Sequence, residues 1–141
     1  MNPETHFEMA EYKNRLQTFE GWMFKDDSTC SKYAMAKAGF YRPNPEDEPE
    51  STMCFACCKE LEGWEVDDVP EEEHKKRASC CLFLKFNMED DKSMFLKDWI
   101  ELMHFVKKSY VTYMKNRAIS ALDNRVKEIV QQRIPLMSKL K

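Results

Sequence analysis

The feature that most constrains this chain is a spacing of cysteines around one histidine. Cys54 and Cys57 form a C-x-x-C knuckle, sixteen residues separate Cys57 from His74, and six more precede Cys81. Three thiols and an imidazole are four soft or borderline donors, a set that closes a tetrahedral shell around Zn2+ and leaves no position for water. A closed shell of this kind is structural, and its binding energy goes into folding a domain whose own core is small. The second pair of a two-cysteine, two-histidine DNA finger, H-x3–5-H, is absent. Cys58 and Cys80 sit directly beside two of these ligands, and spacing alone lets either substitute. Cys30 reads as a small core residue. His6 and His104 lack partners in sequence and read as packed or solvated.

Cysteines point to metal before disulfides where thiols stay reduced. The amino terminus has no apolar run of signal-peptide length, since Glu4, Glu8 and Glu11 interrupt it. No stretch approaches the roughly 20 apolar residues of a spanning helix. The chain is therefore read as intracellular, with no membrane partner. Its 141 residues suit one domain plus an accessory segment. With only Gly21, Gly39 and Gly63, it has no glycine cluster to bring backbone against phosphates, which excludes Walker-type and dinucleotide loops.

Charge divides the chain. Residues 1–91 carry 11 Lys+Arg against 21 Asp+Glu, whereas residues 92–141 carry 11 against 4. Residues 71–134 contain no proline, so a long helix is permitted after about residue 92. Apolar residues recur there at Trp99, Met103, Val106, Tyr110, Met114, Ala118, Leu122, Val126 and Ile129, in steps of three and four that trace one helical face. Asp90 or Ser93 supplies the N-cap. A helix over 93–134 is about 63 Å long at 1.5 Å per residue. It is too long to fold back on a domain of this size, so its apolar face needs a partner helix. Packing with helices of other chains fits the wide stripe better than an antiparallel homodimer or bare contact with DNA.

The first half is punctuated differently. Residues 8–22 read as a short helix with Met9, Tyr12, Leu16 and Phe19 on one side. Residues 30–38 read as another, capped by Ser28 or Ser31 and stopped by Gly39. Phe40-Tyr41, Met53 to Ala56 and Leu61 to Trp64, separated by prolines and turns, suit a small antiparallel meander. Pro70 opens a helix over Glu71 to Ser79 whose first turn holds three acids.

Residues 60–73 contain eight acids: Glu60, Glu62, Glu65, Asp67, Asp68, Glu71, Glu72 and Glu73. Crowded carboxylates beside Trp64 suit a cationic peptide, especially one that begins with a free amine. The bland reading is a solvated acidic face. The same acids imply no general acid–base catalysis, because no nucleophile accompanies them and the zinc shell is full. The chain is read as non-enzymatic.

Arg15 to Trp22 (RLQTFEGW), Ala36 to Tyr41 (AKAGFY), Cys54-x-x-Cys57, Leu61 to Trp64 (LEGW), Asp67-Asp68 and Pro70-x3-His74-x6-Cys81 together resemble a baculovirus IAP repeat (BIR). The resemblance implies a small α+β (α/β) zinc domain over residues 12–87, with a three-stranded antiparallel sheet among short helices. Residues 1–11 would be an N-terminal extension, and 88–141 a linker and one long helix. It implies the ligands Cys54, Cys57, His74 and Cys81 for one structural zinc.

A single repeat followed by a helical tail resembles the family's chromosomal passenger subunit. In it the groove holds an N-terminal Ala-Arg-Thr histone tail with a phosphorylated threonine. Carried over, Glu62 and Asp68 hold the amine, Leu61 and Trp64 the alanine methyl, and Glu48 faces the basic side chains, with Asp67 and Glu73 adding to the acidic lining. Lys59 supplies positive charge for the phosphate. Arg77 stands where that member has a phosphate-side histidine, and Val69 breaks its acidic run. The tail implies a bundle with borealin and the inner centromere protein, an indirect link to aurora kinase, and residence at centromeres and the spindle midzone in mitosis, within nucleus and cytoplasm. A homodimer through Phe7, Phe86 and Phe95 is also implied. The alternative is an inhibitor of apoptosis acting on caspases.

Overall fold

The computed structural model describes residues 3–86 and 95–137. Two short helices, α1 (Pro3–Glu8) and α2 (Tyr12–Gln17), open the chain in place of one helix over 8–22. The reason is tertiary. The Arg15 guanidinium, 1% exposed, points back from α2 and donates to the carbonyls of Met9 and Ala10, both at 2.8 Å. Those carbonyls are thereby withdrawn from helix bonding, and Glu11 is extended (φ −79°, ψ 125°).

Ser31 behaves as its sequence position predicts: its Oγ accepts from the Ala34 N–H at 3.4 Å and starts α3 (Lys32–Lys37). Gly39 follows at φ +91°, a left-handed conformation that glycine adopts without strain. A Cβ there would come 2.8 Å from the Phe83 ring. The chain then enters β1 (Phe40–Tyr41), β2 (Thr52–Cys54) and β3 (Glu60–Leu61), an antiparallel meander in the order β1-β2-β3. Phe40 pairs with Cys54 and Thr52 with Leu61, so β2, the central strand, leads directly into the cysteine knuckle. Pro70 is the first residue of α4 (Pro70–Arg77), whose opening turn holds Glu71, Glu72 and Glu73. A single 3-10 turn, Leu82–Lys85, follows Cys81.

The core sits between the sheet and the helices. Phe19, Met35, Phe40, Tyr41 and Phe55 are fully buried, and Phe55 meets Phe83 edge-on at 5.0 Å. Arg15 lies over both rings, 4.7 and 5.7 Å from their centroids.

The last helix, α5, runs Leu96–Met137. Asp90 and Ser93, the expected caps, lie outside the described residues. The chain divides into two units, the first ending at Tyr110 and the second beginning at Val111. In the first, Leu102 and Val106 are fully buried, Tyr110 is 4% exposed, and Trp99 and Met103 are half-buried. Val106 and Tyr110, expected on the face offered to other chains, are thus covered by their own domain. Tyr110 stacks on His6 and meets Phe7 edge-on at 5.7 Å. The expectation that the apolar face of α5 needs a partner helix is corrected for these turns. In the second unit Val111, Met114, Ile119, Leu122, Val126, Ile129 and Val130 are all exposed. Among the described residues no helix is long and apolar enough to cross a membrane.

Candidate functional site

The knuckle is built by backbone geometry. The Cys54 N–H donates to the Lys59 carbonyl and the Cys58 N–H to the Cys54 carbonyl, both at 3.0 Å. Cys58 takes φ +57° to complete the turn, and the Ala56 N–H points at Cys54 Sγ, 3.3 Å away. His74 projects from α4 with its Nδ1 2.9 Å from the Ala38 carbonyl, a contact that leaves Nε2 for a metal. Phe40 packs against its ring at 4.8 Å.

Cys54, Cys57, His74 and Cys81 come together with their donor atoms all within 4.8 Å of one another. Cys57 Sγ and His74 Nε2 are 3.4 Å apart. A tetrahedron with Zn–S near 2.3 Å and Zn–N near 2.0 Å has edges of about 3.5–3.8 Å; Cys57 and His74 already stand at that spacing, and no pair of donors exceeds it by more than about 1 Å. Hydrogen bonds from Cys54 and Cys81 pull the Cys57 thiol far below its ordinary pKa, while burial pushes Cys54 well above it. The pocket favours one thiolate, and a cation is what allows three to coexist.

The two neighbouring thiols are accounted for by position. Cys58 points away from the cluster, its Sγ 3.8 Å from His6 Nε2, and burial pushes its pKa up to about 12. Cys80 is exposed. Cys30 is fully buried and likewise raised to about 12 by burial, in keeping with a core residue.

A second feature lies between β3, the loop that follows it and α4. Leu61, Glu62, Gly63, Trp64, Asp68, Glu73 and Arg77 line a cleft of about 40 Å³. Trp64 is 8% exposed and fixed from below: its Nε1 donates to Thr52 Oγ1 at 3.1 Å, and its ring meets Phe40 edge-on at 5.3 Å. Gly63, at φ +71°, turns the chain between β3 and Trp64. Asp68 Oδ2 accepts the Glu65 N–H at 2.8 Å, which holds that carboxylate at the rim. Glu73, half-buried, pairs with Lys76 at 2.6 Å and with Arg77 Nε at 3.7 Å, and the Lys76 bond lowers its pKa. The cleft therefore joins apolar, anionic and cationic groups.

Of the residues assigned to peptide binding, Leu61, Glu62, Trp64, Asp68, Glu73 and Arg77 line this cleft. Glu48, Lys59 and Asp67 are exposed and do not line it. Gly63 was not singled out by the sequence reading, although a glycine between Glu62 and Trp64 signals such a turn. Phe7 and Phe86 are half-buried, and Phe95 is 79% exposed.

Residues 15–85 match the BIR family, described as the Inhibitor of Apoptosis domain, and the chain belongs to that family. It is similar to Baculoviral IAP repeat-containing protein 5.1 of Xenopus tropicalis, 50% identical over 76 residues, or 54% of this chain and 48% of the relative. It is similar also to Baculoviral IAP repeat-containing protein 5 of Cavia porcellus (46% over 88 residues, 60% of this chain and 62% of the relative). The mouse protein of that name is 49% identical over 86 residues, 59% of this chain and 61% of the relative. The chain thus spans about half to three-fifths of the length of the curated relatives it matches. These are survivin-type proteins. BIR domains bind zinc, and the four-donor cluster here is able to hold a metal.

Proposed function

We propose that the chain is a non-enzymatic chromosomal passenger subunit whose zinc-loaded domain reads the phosphorylated amino-terminal tail of a histone. The observation that carries this reading is the cleft: Leu61 and Trp64 form its apolar floor beside the carboxylates of Glu62, Asp68 and Glu73, with Arg77 at one side. A tail that begins with a small residue puts a methyl group and an ammonium next to each other, and the cleft matches both. Arg77 offers a planar fork to the phosphate, a bidentate contact that a histidine does not make. One structural zinc holds the domain that presents these groups.

The exposed apolar residues of α5 beyond Tyr110 support the second half of the proposal. They are the surface for helices of borealin and the inner centromere protein, and through them for aurora kinase. The assembly acts at centromeres and the spindle midzone in mitosis, in a protein found in nucleus and cytoplasm. A homodimer through Phe7, Phe86 and Phe95 belongs to the same proposal.

Titration of the metal-loaded chain with phosphorylated and unmodified histone-tail peptides tests the reading. Tighter binding of the phosphorylated peptide is expected. Equal affinity removes the phosphate from the account, and failure of both removes the groove. The family description favours a second reading, direct or indirect inhibition of caspases. Potent stoichiometric inhibition of purified caspases would put that role first.

A further inference from the structure

The run Lys75-Lys76-Arg77-Ala78-Ser79 ends α4 and enters the loop that leads to Cys81. Ser79 is exposed, lies one residue past the C-cap Ala78, and its hydroxyl has no partner among the described residues. The other described hydroxyls are differently placed. Ser31 caps α3, while Thr18, Thr29 and Thr52 donate to backbone carbonyls. Ser28 donates to the Lys25 carbonyl and follows Asp26 and Asp27, and Ser51 follows Glu48-Pro49-Glu50. Thr5 is inside α1, and Ser109, Thr112 and Ser120 are inside α5. Among the described residues, only at Ser79 does a free, non-helical hydroxyl follow two cations at positions −3 and −2. The Lys76 and Arg77 side chains are 64% and 61% exposed and are tied only by ion pairs to Glu73, so an acidic substrate groove can take them up.

We propose that Ser79 is a phosphorylation site for a basophilic protein kinase, and that its phosphate draws Arg77 out of the peptide cleft. The γ-phosphoryl group of Mg·ATP passes to Ser79 Oγ. The new O–P bond forms as the bond to the bridging oxygen breaks, ADP leaves, and the hydroxyl proton goes to a carboxylate base of the kinase. A phosphoserine carries between one and two negative charges and three strong acceptors. Two residues from Arg77, it outcompetes the 3.7 Å contact with Glu73 for the guanidinium. The cleft then keeps its carboxylates and loses its cation. This consequence rests on the peptide-reading function proposed above, whereas the modification itself does not.

The metal-loaded full chain is incubated with Mg·ATP and a purified kinase that selects basic residues at −3 and −2, and sites are located by mass spectrometry. Stoichiometric phosphate at Ser79 is expected, lost in Ser79→Ala and at least several-fold slower in Lys76→Ala. No phosphate at Ser79, or label at Ser120 alone, overturns the assignment. Phosphorus NMR reads the link to Arg77 without any peptide: the phosphoserine pKa should fall below its usual value near 6 and return in Arg77→Gln. An unshifted pKa overturns the link. Once the unmodified chain prefers the phosphorylated tail, phosphorylation of Ser79 should reduce that preference roughly tenfold, the scale of one charge-assisted hydrogen bond. If the unmodified chain binds neither peptide, the groove reading fails, and the mass and NMR results still decide the inference at Ser79.

Discussion

The imidazole of His6 lies stacked on the ring of Tyr110, with centroids 4.3 Å apart and planes 22° from parallel. Its Nδ1 is 2.9 Å from the Tyr41 hydroxyl, and the ring is fully buried. One side chain of α1 thus joins the sheet to the first turns of α5. Burial disfavours the charged form and lowers the His6 pKa from 6.5 to about 4. The unfolded chain therefore takes up this proton first as pH falls. The contribution of His6 is complete above pH 6.5 and declines as pH drops toward 4, by about 3 kcal/mol in all. Denaturant titrations of the metal-loaded chain between pH 7 and 5 should show this slope, and His6→Gln should flatten it. Parallel curves for the two proteins would refute the assignment.

Arg15 holds three carbonyls: Met9 and Ala10 through Nη1, and Ala36 through Nε at 2.9 Å. Arg15→Ala leaves these acceptors unpaired inside the protein and opens a void beside Phe55 and Phe83. A loss of about 3–5 kcal/mol is expected from equilibrium unfolding. Arg15→Lys keeps the charge and loses the planar fork, so it should recover only part of that loss. Full recovery by lysine would mean that charge, not fork geometry, secures the joint between α1 and α2.

The same residue shows where sequence reading stops. Ser31, Gly39 and Pro70 act on their immediate neighbours, and the elements they bound were legible as local signals. The cysteine and histidine spacing was legible for the same reason, since two of the donors sit on one tight turn. Arg15 breaks the expected helix over 8–22 by reaching carbonyls that only tertiary packing brings near. Leu102 fell outside the apolar stripe traced along α5, yet it is fully buried while Leu122 is 66% exposed. Periodicity finds an apolar face, but tertiary packing within the first unit decides which turns of it are covered.

That division predicts opposite outcomes for two identical substitutions. Leu102→Ala removes a side chain with no exposure and should lower stability by about 2–5 kcal/mol. Leu122→Ala trims an exposed one and should change the stability of the isolated chain by no more than about 0.5 kcal/mol. Leu122→Asp should leave melting of the first unit unchanged and abolish capture by partner helices. Equal effects on chain stability would place both residues in one core.

Metal removal should be far more damaging than either. Cys54 and Cys81 are fully buried beside Cys57 and His74, and without a cation the cluster cannot keep three thiolates. Chelation should lower the melting temperature sharply or abolish cooperative unfolding, and elemental analysis should return about one zinc per chain. Cys57→Ser should reproduce the loss, whereas Cys80→Ser, altering an exposed thiol, should bind metal as the parent does. Identical melting with and without chelator would remove the structural role of the ion.

The proposed recognition of a free amine in the cleft has its own signature. Glu62 and Asp68 line it with Trp64, and Asp68 is held in place by the Glu65 N–H. Acetylating the peptide amine removes its charge and leaves its methyl group untouched, so binding should weaken at least tenfold, the scale of a hydrogen bond to a charged group. Glu62→Gln should weaken the free-amine peptide and leave the acetylated one nearly unaffected. Asp68→Asn should do the same with an added loss, because the turn at Glu65 loses its charged acceptor. A double-mutant cycle across amine and Glu62 isolates the pair. A coupling near zero would mean that the carboxylates only set the field around the cleft, and that the apolar floor of Leu61 and Trp64 supplies the affinity.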